Sequence, residues 1–555
     1  MVAKNEVYEV IIEDIGTEGQ GIGHIDGEAV FVKDTLPGDK AVVKIIKAGK
    51  KMAFGRLMEL IELSESRTEP LCEVARACGG CTLQHMDYNA QLQFKWNKVK
   101  NLLQRIGGVE EPEKLMEYVS DDSVSSDGKL AESDGTDNVN CGGKPDAADV
   151  SCGMGGKLAY GLDYPYHYRN KMQFPVGRDK EGKAVLGFYA GRTHSIIPLT
   201  DCVIGHPVNK MIISAVKEWL DKYKISVYDE EKHSGLVRHV LTRVGFHTNE
   251  LMVCLVVNGD DIPHSDKLYQ LLLEGVKRYN SDAGKSISEH AHGLDFVNET
   301  AGADGGSKTV GADVGKSVGE IKLQSFMINI NKDKTNRILG FRSKTLQGEA
   351  FITDYIGDIK FQISPESFFQ VNPEMTGKLY GKALEYAALT GGETVWDMYC
   401  GIGTISLFLS QKAGKVFGVE IVPQAIEDAK KNARLNGIEN AEFFVGKAEE
   451  VVPEAYAGDP DKYRADVVVV DPPRKGCDEK LLETIVSMSP KRLVYVSCDP
   501  ATLARDIKYL TQKGFVLRKA SVFDQFSHGV HVEVCCLLEQ QNLEIKKETG
   551  KSCQT

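Results

Sequence analysis

The sequence predicts a multi-domain α/β protein in which a small β-barrel is followed by an α+β unit and then by a doubly wound parallel sheet. The chain has 555 residues, more than one hydrophobic core normally organises, and its hydrophobic content of 42% is enough for several cores. Its first part consists of short apolar stretches separated by glycines, whereas its last part alternates apolar strands with helical patterns. We therefore expect an N-terminal barrel, a central unit and a C-terminal α/β unit.

The N-terminal unit is predicted from short strands. Apolar stretches occur at Val7–Ile12, Ala29–Val32 and Ala41–Ile46, and the segment Gly16–Gly27 is rich in glycine. This pattern is typical of a small five-stranded barrel. The unit also contains a run of basic residues with no acid between them, which suits contact with phosphates or, alternatively, a solvated charged face. These residues are Lys40, Lys44, Lys47, Lys50, Lys51 and Arg56.

The net charge of −12 is unevenly distributed along the chain. Between Glu110 and Lys157 there are twelve acids and four bases, which contribute −8. The Ser, Gly and Asp content of this segment predicts a disordered insertion, and the Gly/Ser/Ala-rich residues 281–318 predict a second one. The segment Tyr164–Lys210 instead has seven bases, three acids and several aromatic residues. Such a mixture suits contacts with the phosphates and bases of a nucleic acid.

A nucleotide-binding turn is predicted in the C-terminal unit. The apolar strand at Thr394 runs into a glycine turn at Gly401, which is followed by a helical pattern from Ile405. The next strand ends at Glu420, about twenty residues further on, where a carboxylate can accept both hydroxyls of a ribose. The alternative is a tight turn that binds no ligand.

Three more residues follow or interrupt predicted strands. Asp471 ends a run of β-branched residues and precedes two prolines, so it is expected to face the same crevice as Gly401 unless it belongs to an ordinary turn. Cys498 stands between a buried strand and a helix that begins at Asp499, where the helix N-terminus is expected to lower the thiol pKa. Cys498 is therefore a candidate nucleophile, although free cysteines are often simply small buried residues. Glu533 interrupts an apolar strand, and such an acid is usually paired or functional.

Together with the segment Ser364–Asn372, these motifs resemble those of the RNA (uracil-C5)-methyltransferases, and they occur here in that family's order. The resemblance implies a Rossmann-like domain that uses S-adenosylmethionine. It also implies that Cys498 is the nucleophile and Glu533 the base. The positions that would contact S-adenosylmethionine are Gln370, Tyr399, Glu420 and Asp471.

The chemistry of uracil explains why such residues are needed. Carbon C5 is too weak a nucleophile to take a methyl group from a sulfonium, but attack of the Cys498 thiolate on C6 would activate it. Glu533 would then remove the C5 proton, so that elimination frees the enzyme. The uridine must leave its stack to be reached, and Phe368 is the candidate aromatic platform for it.

A second site is predicted from Cys72, Cys78, Cys81 and the distant Cys202. Four cysteines can hold a [4Fe–4S] cluster; a zinc site or unrelated thiols are the alternatives. Disulfides are not expected, since the chain has 13 cysteines and no secretory signal. The spacing resembles that of the iron–sulfur branch of the uracil methyltransferases, in which the cluster is structural. That branch mostly methylates 23S ribosomal RNA in bacteria, and the barrel resembles its OB-like TRAM module.

The sequence thus predicts a monomeric, cytoplasmic enzyme with an RNA partner and no membrane contact. A transfer RNA substrate is the runner-up, and a non-catalytic ribosome assembly factor is an alternative of another class. The expected units are 1–62 for the barrel, 63–108 with 158–345 for the central RNA-binding domain, 346–540 for the methyltransferase domain, 109–157 and 281–318 for the insertions, and 541–555 for a tail.

Overall fold

A computed structural model describes residues 2–120, 156–191, 193–290 and 319–541. Most of both predicted insertions, and the predicted tail apart from its first residue, lie outside these ranges. Within the described residues, no helix is long and apolar enough to cross a membrane.

The N-terminal unit is a closed barrel with the strand order β1-β2-β3-β5-β4, which confirms the predicted barrel. Its strands are β1 (Val7–Ile15), β2 (Gly21–Ile25), β3 (Glu28–Val32), β4 (Lys40–Ala48) and β5 (Met52–Glu62). The alternation of buried and exposed residues in β4 puts Val43 and Ile45 into the barrel core. A Cβ atom added to Gly23 would lie 2.4 Å from the Ile11 carbonyl oxygen, so only glycine allows β1 and β2 to approach this closely.

The central unit is a seven-stranded sheet with the order β10-β9-β8-β11-β12-β13-β14. Helices α2 and α3 pack on it, and their apolar residues share one core with the strands. β12 and β13 are parallel, while the other neighbouring pairs are antiparallel. The elements are β8 (Lys171–Arg178), β9 (Ala184–Tyr189), β10 (Ile196–Pro198), α2 (Asn209–Lys222), β11 (Val237–Val244), β12 (Glu250–Val257), α3 (Ser265–His290), β13 (Lys322–Ile330) and β14 (Arg342–Gly348).

The C-terminal unit is the doubly wound sheet that the sequence predicts, with the strand order β19-β18-β17-β20-β21-β23-β22. The order reverses between β17 and β20, and ligands bind at such a switch point, beyond the carboxyl ends of the strands. A hairpin of β15 (Ile352–Ile356) and β16 (Ile359–Ile363) precedes it. The strands are β17 (Thr394–Asp397), β18 (Lys415–Glu420), β19 (Ala441–Val445), β20 (Val467–Val470), β21 (Arg492–Ser497), β22 (Phe515–Phe523) and β23 (Glu533–Gln540). The helices are α4 (Pro373–Ala387), α5 (Thr404–Ser410), α6 (Pro423–Leu435), α7 (Ala448–Gly458), α8 (Pro460–Tyr463), α9 (Glu479–Met488) and α10 (Pro500–Gln512).

Helix α1 (Tyr88–Arg105) corrects the predicted domain division. The sequence assigns residues 63–108 to the central domain, but Leu92, Trp96 and Val99 of this helix belong to the core of the C-terminal sheet. The helix begins at Asp87, whose side chain accepts hydrogen bonds from the first turn. The local pattern predicts an amphipathic helix, but only tertiary contacts decide which sheet its apolar face covers.

The described ends of the first insertion also belong to the C-terminal unit, so the predicted boundary at residue 109 lies too early. A short 3₁₀ helix at Pro112–Lys114 is followed by Glu117, whose carboxylate accepts hydrogen bonds from Tyr386 at 2.8 Å and Ser521 at 3.0 Å. On the far side of the insertion, Tyr160 stacks on Phe523 with ring centroids 4.5 Å apart. The two short strands β6 (Val119–Ser120) and β7 (Gly156–Lys157) pair with each other and close the insertion.

Candidate active site

The glycine turn connects β17 to α5. Gly401 and Gly403 have φ angles of +55° and +84°, a region that residues with side chains rarely adopt. A Cβ atom on Gly401 would meet nothing within 4 Å, so the space above this residue is open. Asp397 at the end of β17 accepts a hydrogen bond of 2.6 Å from Ser406, and burial raises the pKa of its carboxyl to about 6. The turn is therefore rigid and faces free space, as a nucleotide-binding turn must.

Glu420 and Tyr399 lie at the same sheet edge as the glycine turn. Glu420 ends β18, and its Oε1 accepts a hydrogen bond of 2.9 Å from the Val422 backbone N–H. Its charge helps to raise the pKa of Asp397, after the larger effect of burial, so the two carboxyls face one crevice. Tyr399 is the second residue after β17 and is half-buried. It packs on the core of the C-terminal sheet, and its contact with S-adenosylmethionine stays a prediction.

Gln370 lies in the loop between β16 and α4. It is buried, and Oε1 of its side chain accepts a hydrogen bond of 3.4 Å from the Gln525 amide. Within the described residues, the buried Oε1 of Gln525 has no hydrogen-bond partner. Buried polar atoms are rarely left unpaired. A polar ligand that donates a hydrogen bond here would give the Gln525 Oε1 a partner. The central unit fixes the loop, since Asn170 donates a hydrogen bond of 2.9 Å to the Gln370 carbonyl.

Strand register brings Cys498 and Glu533 together. β21 lies between β20, to which it is parallel, and β23, to which it is antiparallel. Ser497 pairs with Val534. Cys498, which follows β21, and Glu533, which begins β23, therefore lie side by side. Asp471 follows β20 at the same edge and contributes to the pKa shifts of both groups. Three residues that are far apart in the sequence therefore form one cluster.

The carboxyls of this cluster favour their protonated forms. Glu533 is only 2% exposed, and its Oε2 has no hydrogen-bond partner in the part of the chain that the structure describes. Burial, helped by Asp471, raises the pKa of Glu533 well above its usual value, while Arg474 opposes the shift. Burial also raises the pKa of Asp471 to about 7, with a smaller contribution from Asp397. Burial thus shifts the pKa of both carboxyls upward, toward the protonated form.

The expectation that the helix N-terminus lowers the pKa of Cys498 is wrong for the free protein. Burial raises the pKa of this thiol to about 11, and Glu533 and Asp471 add to the shift, while Arg474 opposes it. The first N–H groups of α10 are also occupied, because the Asp499 side chain accepts hydrogen bonds of 3.0 Å from Ala501 and Thr502. Desolvation and neighbouring carboxyls outweigh the partial charge of the helix end.

This pKa predicts how the thiol reacts with iodoacetamide. Only the thiolate is alkylated, so the rate at Cys498 should rise about tenfold per pH unit from pH 7 and level off near pH 11. Mass spectrometry of the tryptic peptide measures this rate. The variant Arg474→Ala, which loses the opposing positive charge, should react more slowly than the wild type at pH 8. A rate that is already constant above pH 6 would contradict the raised pKa.

Phe368, the predicted stacking platform, is 68% exposed and thus free to contact a base. The buried Arg243 holds the loop that carries Phe368, because its guanidinium donates hydrogen bonds to the carbonyls of Ser367 and Pro365. Its role as a platform stays a prediction.

Sequence reasoning missed a buried ion pair between α1 and the loop that leads to Glu533. Lys95 of α1 and Asp524 are both fully buried and form a short ion pair, and Tyr88 donates a hydrogen bond of 2.6 Å to the same carboxylate. Asp524 begins the loop that leads to Glu533, so α1 holds this loop in place. Removing one partner of such a pair leaves a buried charge, at a cost of about 3–5 kcal/mol. The sequence does contain a signal for this buried lysine, because Lys95 falls on the apolar stripe of α1 together with Leu92 and Val99.

The four cysteines of the predicted second site line one cavity of about 330 Å³. All four are free thiols. Burial raises the pKa of Cys81 to about 12 and that of Cys202 to about 11, and in each case other cysteines of the set add to the shift. The Gln84 side chain, which also lines the cavity, opposes the shift at Cys81 by a hydrogen bond. In those ranges no group of three or more His, Cys, Asp or Glu side chains is placed to hold a single metal ion.

Comparison with known proteins agrees with this fold. Residues 316–541 match the family model of the tRNA (Uracil-5-)-methyltransferases, and residues 2–58 match the TRAM domain. An RNA methyltransferase of Halalkalibacterium halodurans is 43% identical, with 98% of both chains covered, and one of Clostridium tetani is 41% identical, with 97% of both covered. The Pyrococcus abyssi tRNA (uracil-54, C5)-methyltransferase in complex with S-adenosyl-L-homocysteine has a similar fold, with a TM-score of 0.66, 24% identity and coverage of 96% of this chain and 99% of that one.

The family match and the relatives show an enzyme of the methyltransferase class that uses S-adenosylmethionine as methyl donor. More closely, the chain belongs to the RNA (uracil-C5)-methyltransferase family and carries that family's TRAM domain. This confirms the predicted enzyme class and its RNA partner, and it argues against the alternative of a non-catalytic assembly factor.

Proposed function

We propose that this protein methylates C5 of a uridine in 23S ribosomal RNA through a covalent adduct between Cys498 and C6 of the base. The observation that carries the proposed chemistry is the β21–β23 register, which sets a thiol beside a buried carboxyl whose Oε2 has no hydrogen-bond partner among the described residues. A nucleophile and a base side by side are what the substitution of a proton by a methyl group at C5 requires.

The residues of the site would act in sequence. Cys498 and Glu533 first lose their protons to solvent, and the thiolate then bonds to C6, which moves an electron pair to C5. S-adenosylmethionine would supply the methyl group as an electrophile: C5 takes the methyl group, the S–CH3 bond breaks and the sulfonium becomes a neutral thioether. The ionised Glu533 then takes the proton from C5, the C5–C6 double bond re-forms and the C6–S bond breaks, which returns the thiolate. Arg474 assists, because its charge favours the ionised forms of both Cys498 and Glu533.

The residues around the glycine turn fit S-adenosylmethionine. The open space above Gly401 admits a nucleoside, and the Glu420 carboxylate is suited to ribose hydroxyls. Tyr399 and Gln370 would complete the contacts, together with Asp471 of the catalytic cluster, whose carboxyl is also close enough to Asp397 to be affected by its charge. A cationic ligand beside Asp471 would favour the ionised form of this carboxyl.

We also propose that Cys72, Cys78, Cys81 and Cys202 hold a [4Fe–4S] cluster. A cluster is larger than a single ion, so its ligands stand farther apart, and a cavity lined by four free thiols suits it. The Gln84 amide supports this assignment, because its side chain lies close enough to Cys81 to lower the pKa of that thiol by a hydrogen bond, and cluster sulfurs accept such bonds. The cluster would be structural. The segment that carries Cys72, Cys78 and Cys81 contacts the loop before Glu533, since the Leu83 backbone N–H donates a hydrogen bond of 2.9 Å to the His528 carbonyl.

The cluster proposal predicts about four irons per chain after anaerobic purification. Cys202→Ser should lose iron and lower both the melting temperature and the RNA affinity, because Cys202 is the ligand that ties the central unit to the segment after the barrel. Metal analysis, thermal unfolding and filter binding measure these three effects. Cys254→Ser is the matched control, since Cys254 is a buried cysteine in the same unit that does not line the cavity. Zinc in place of iron would refute the proposal.

The choice of RNA is tested by mapping 5-methyluridine in ribosomal and transfer RNA from a deletion strain. We expect a missing modification in 23S ribosomal RNA. Transfer RNA is the second candidate. Its support is that the matching family model is named for transfer RNA. Loss of a transfer RNA modification alone would replace the first proposal by the second.

A further inference from the structure

A groove of about 930 Å³ runs between the barrel, the cysteine-bearing segment and the hairpin of β9 and β10. Phe31 of β3 and Phe54 of β5 form one wall. These strands are parallel with the two residues in register, so their rings stack with centroids 5.6 Å apart. Phe54 is 36% exposed, which leaves an aromatic surface open to the groove. Stacked aromatic side chains beside a groove are typical of platforms for unpaired nucleobases.

Positive charges surround this platform. The Nζ of Lys47 lies 5.9 Å from the centre of the Phe54 ring. Lys33 and Arg76 both line the groove, and the Lys33 ammonium donates a hydrogen bond of 3.0 Å to the Arg76 carbonyl. Two carboxylates, those of Glu18 and Asp34, also line it, so the three cations leave a small positive excess. This combination of charge and aromatic surface suits a single-stranded nucleic acid.

The groove also contains polar atoms that lack partners. Gln20 Oε1, Thr82 Oγ1 and His85 Nε2 are buried, and none has a hydrogen-bond partner among the described residues. His85 is only 6% exposed, and burial, followed by the charge of Arg67, lowers its pKa to about 4, so its ring is neutral at neutral pH. An acceptor, a hydroxyl and a neutral imidazole in one groove can read the edge of a base.

A loop that lines the groove contacts the loop that leads to Glu533. Lys98 donates hydrogen bonds of 3.0 Å to the carbonyls of both Thr17 and Val530. A Cβ atom on Gly19 would lie 2.9 Å from the Val530 side chain. The barrel loop that ends at Gln20 therefore touches the loop that precedes Glu533. The groove and the catalytic cluster are thus flanked by loops that contact each other.

We propose that this groove binds a second unpaired nucleobase of the substrate RNA, close in sequence to the target uridine. Its ring stacks on Phe54, its edge meets Gln20, Thr82 and His85, and its phosphate lies near Lys47. The inference rests on the proposed function, because it takes RNA to be the substrate, and it adds a base-reading site that is separate from the methylated position.

The test uses the full-length protein and the RNA fragment in which the wild type forms 5-methyluridine. Single 2-aminopurine substitutions are placed in turn on the nucleotides next to the methylated uridine, because the fluorescence of this base is quenched when it stacks. At one position we expect the wild type to quench the fluorescence and Phe54→Ala to restore it. The same variant should bind the RNA about 5- to 100-fold more weakly.

Met58→Ala is the matched control, since Met58 is 56% exposed on the same face of β5 but does not line the groove. It should change neither fluorescence nor affinity. If the wild type methylates the RNA while no position depends on Phe54 and affinity is unchanged, the groove is not a base-binding site. A wild type that forms no 5-methyluridine in any RNA would refute the proposed function, and this inference with it.

Discussion

Replacement of Cys498 by alanine should lower the methylation rate by a factor on the order of 10⁴ or more, because no other group in the cluster can bond to C6. RNA affinity should stay close to that of the wild type, since the thiol is small and serves the chemistry rather than binding. Transfer of a labelled methyl group to RNA measures the rate, and filter binding measures the affinity.

Cys400→Ala provides the control for this result. Cys400 lies in the glycine turn, and it is buried and packed close to Gly418 rather than placed beside Glu533. Burial raises the pKa of Cys400, as it does that of Cys498, but the carboxyls near Cys400 are Asp397 and Glu420 rather than Glu533, so Cys400 is not placed beside the proposed base. The Cys400 variant should still form the covalent adduct. Turnover that persists in Cys498→Ala would mean that uracil is activated in another way.

Replacement of Glu533 by glutamine should trap a covalent complex between protein and RNA. Methyl transfer to C5 can still occur, but glutamine cannot take the remaining C5 proton, so the C6–S bond does not break. The amide has nearly the same shape as the protonated carboxyl that burial favours in the free site, so the fold should be unaffected. A denaturing gel shows the complex as a slowly migrating band that carries the labelled methyl group.

The double variant Cys498→Ala with Glu533→Gln separates this adduct from tight non-covalent binding. It should give no slow band, because the nucleophile is missing. Asp471→Asn is a second comparison: Asp471 is the nearby carboxyl, and this variant should weaken cofactor binding rather than trap the adduct. A Glu533→Gln enzyme that turns over normally and forms no band would require another base.

Much of the candidate site followed from local patterns. Gly401 could be identified because a strand, a glycine turn and a helix have a characteristic order, and Glu420 because it ends the next strand. Asp471 and Cys498 end later strands, and the carboxyl ends of parallel strands share one edge. The pairing of Glu533 with Cys498 was less certain, since it depends on an antiparallel strand whose register the sequence does not reveal.

Several features depended on contacts between distant segments. Residues 88–105 have the pattern of an amphipathic helix, but nothing in that pattern says that the helix covers the C-terminal sheet or that Lys95 meets Asp524, more than four hundred positions away. The raised pKa of Cys498 likewise depends on contacts between distant segments. A sequence shows the helix end that would lower this pKa, but it does not show the burial that raises it.

The sequence by itself therefore determined the barrel, the doubly wound sheet and the identity of the residues at its switch point, because strand periodicity, glycine turns and motif order are local properties. Only the tertiary structure decided which sheet α1 covers, that Glu533 and Cys498 lie side by side where burial raises the pKa of each, and that Phe31 and Phe54 stack beside a groove. These properties depend on which surfaces exclude water and which charges come close together, and both are set by segments that meet only when the chain has folded.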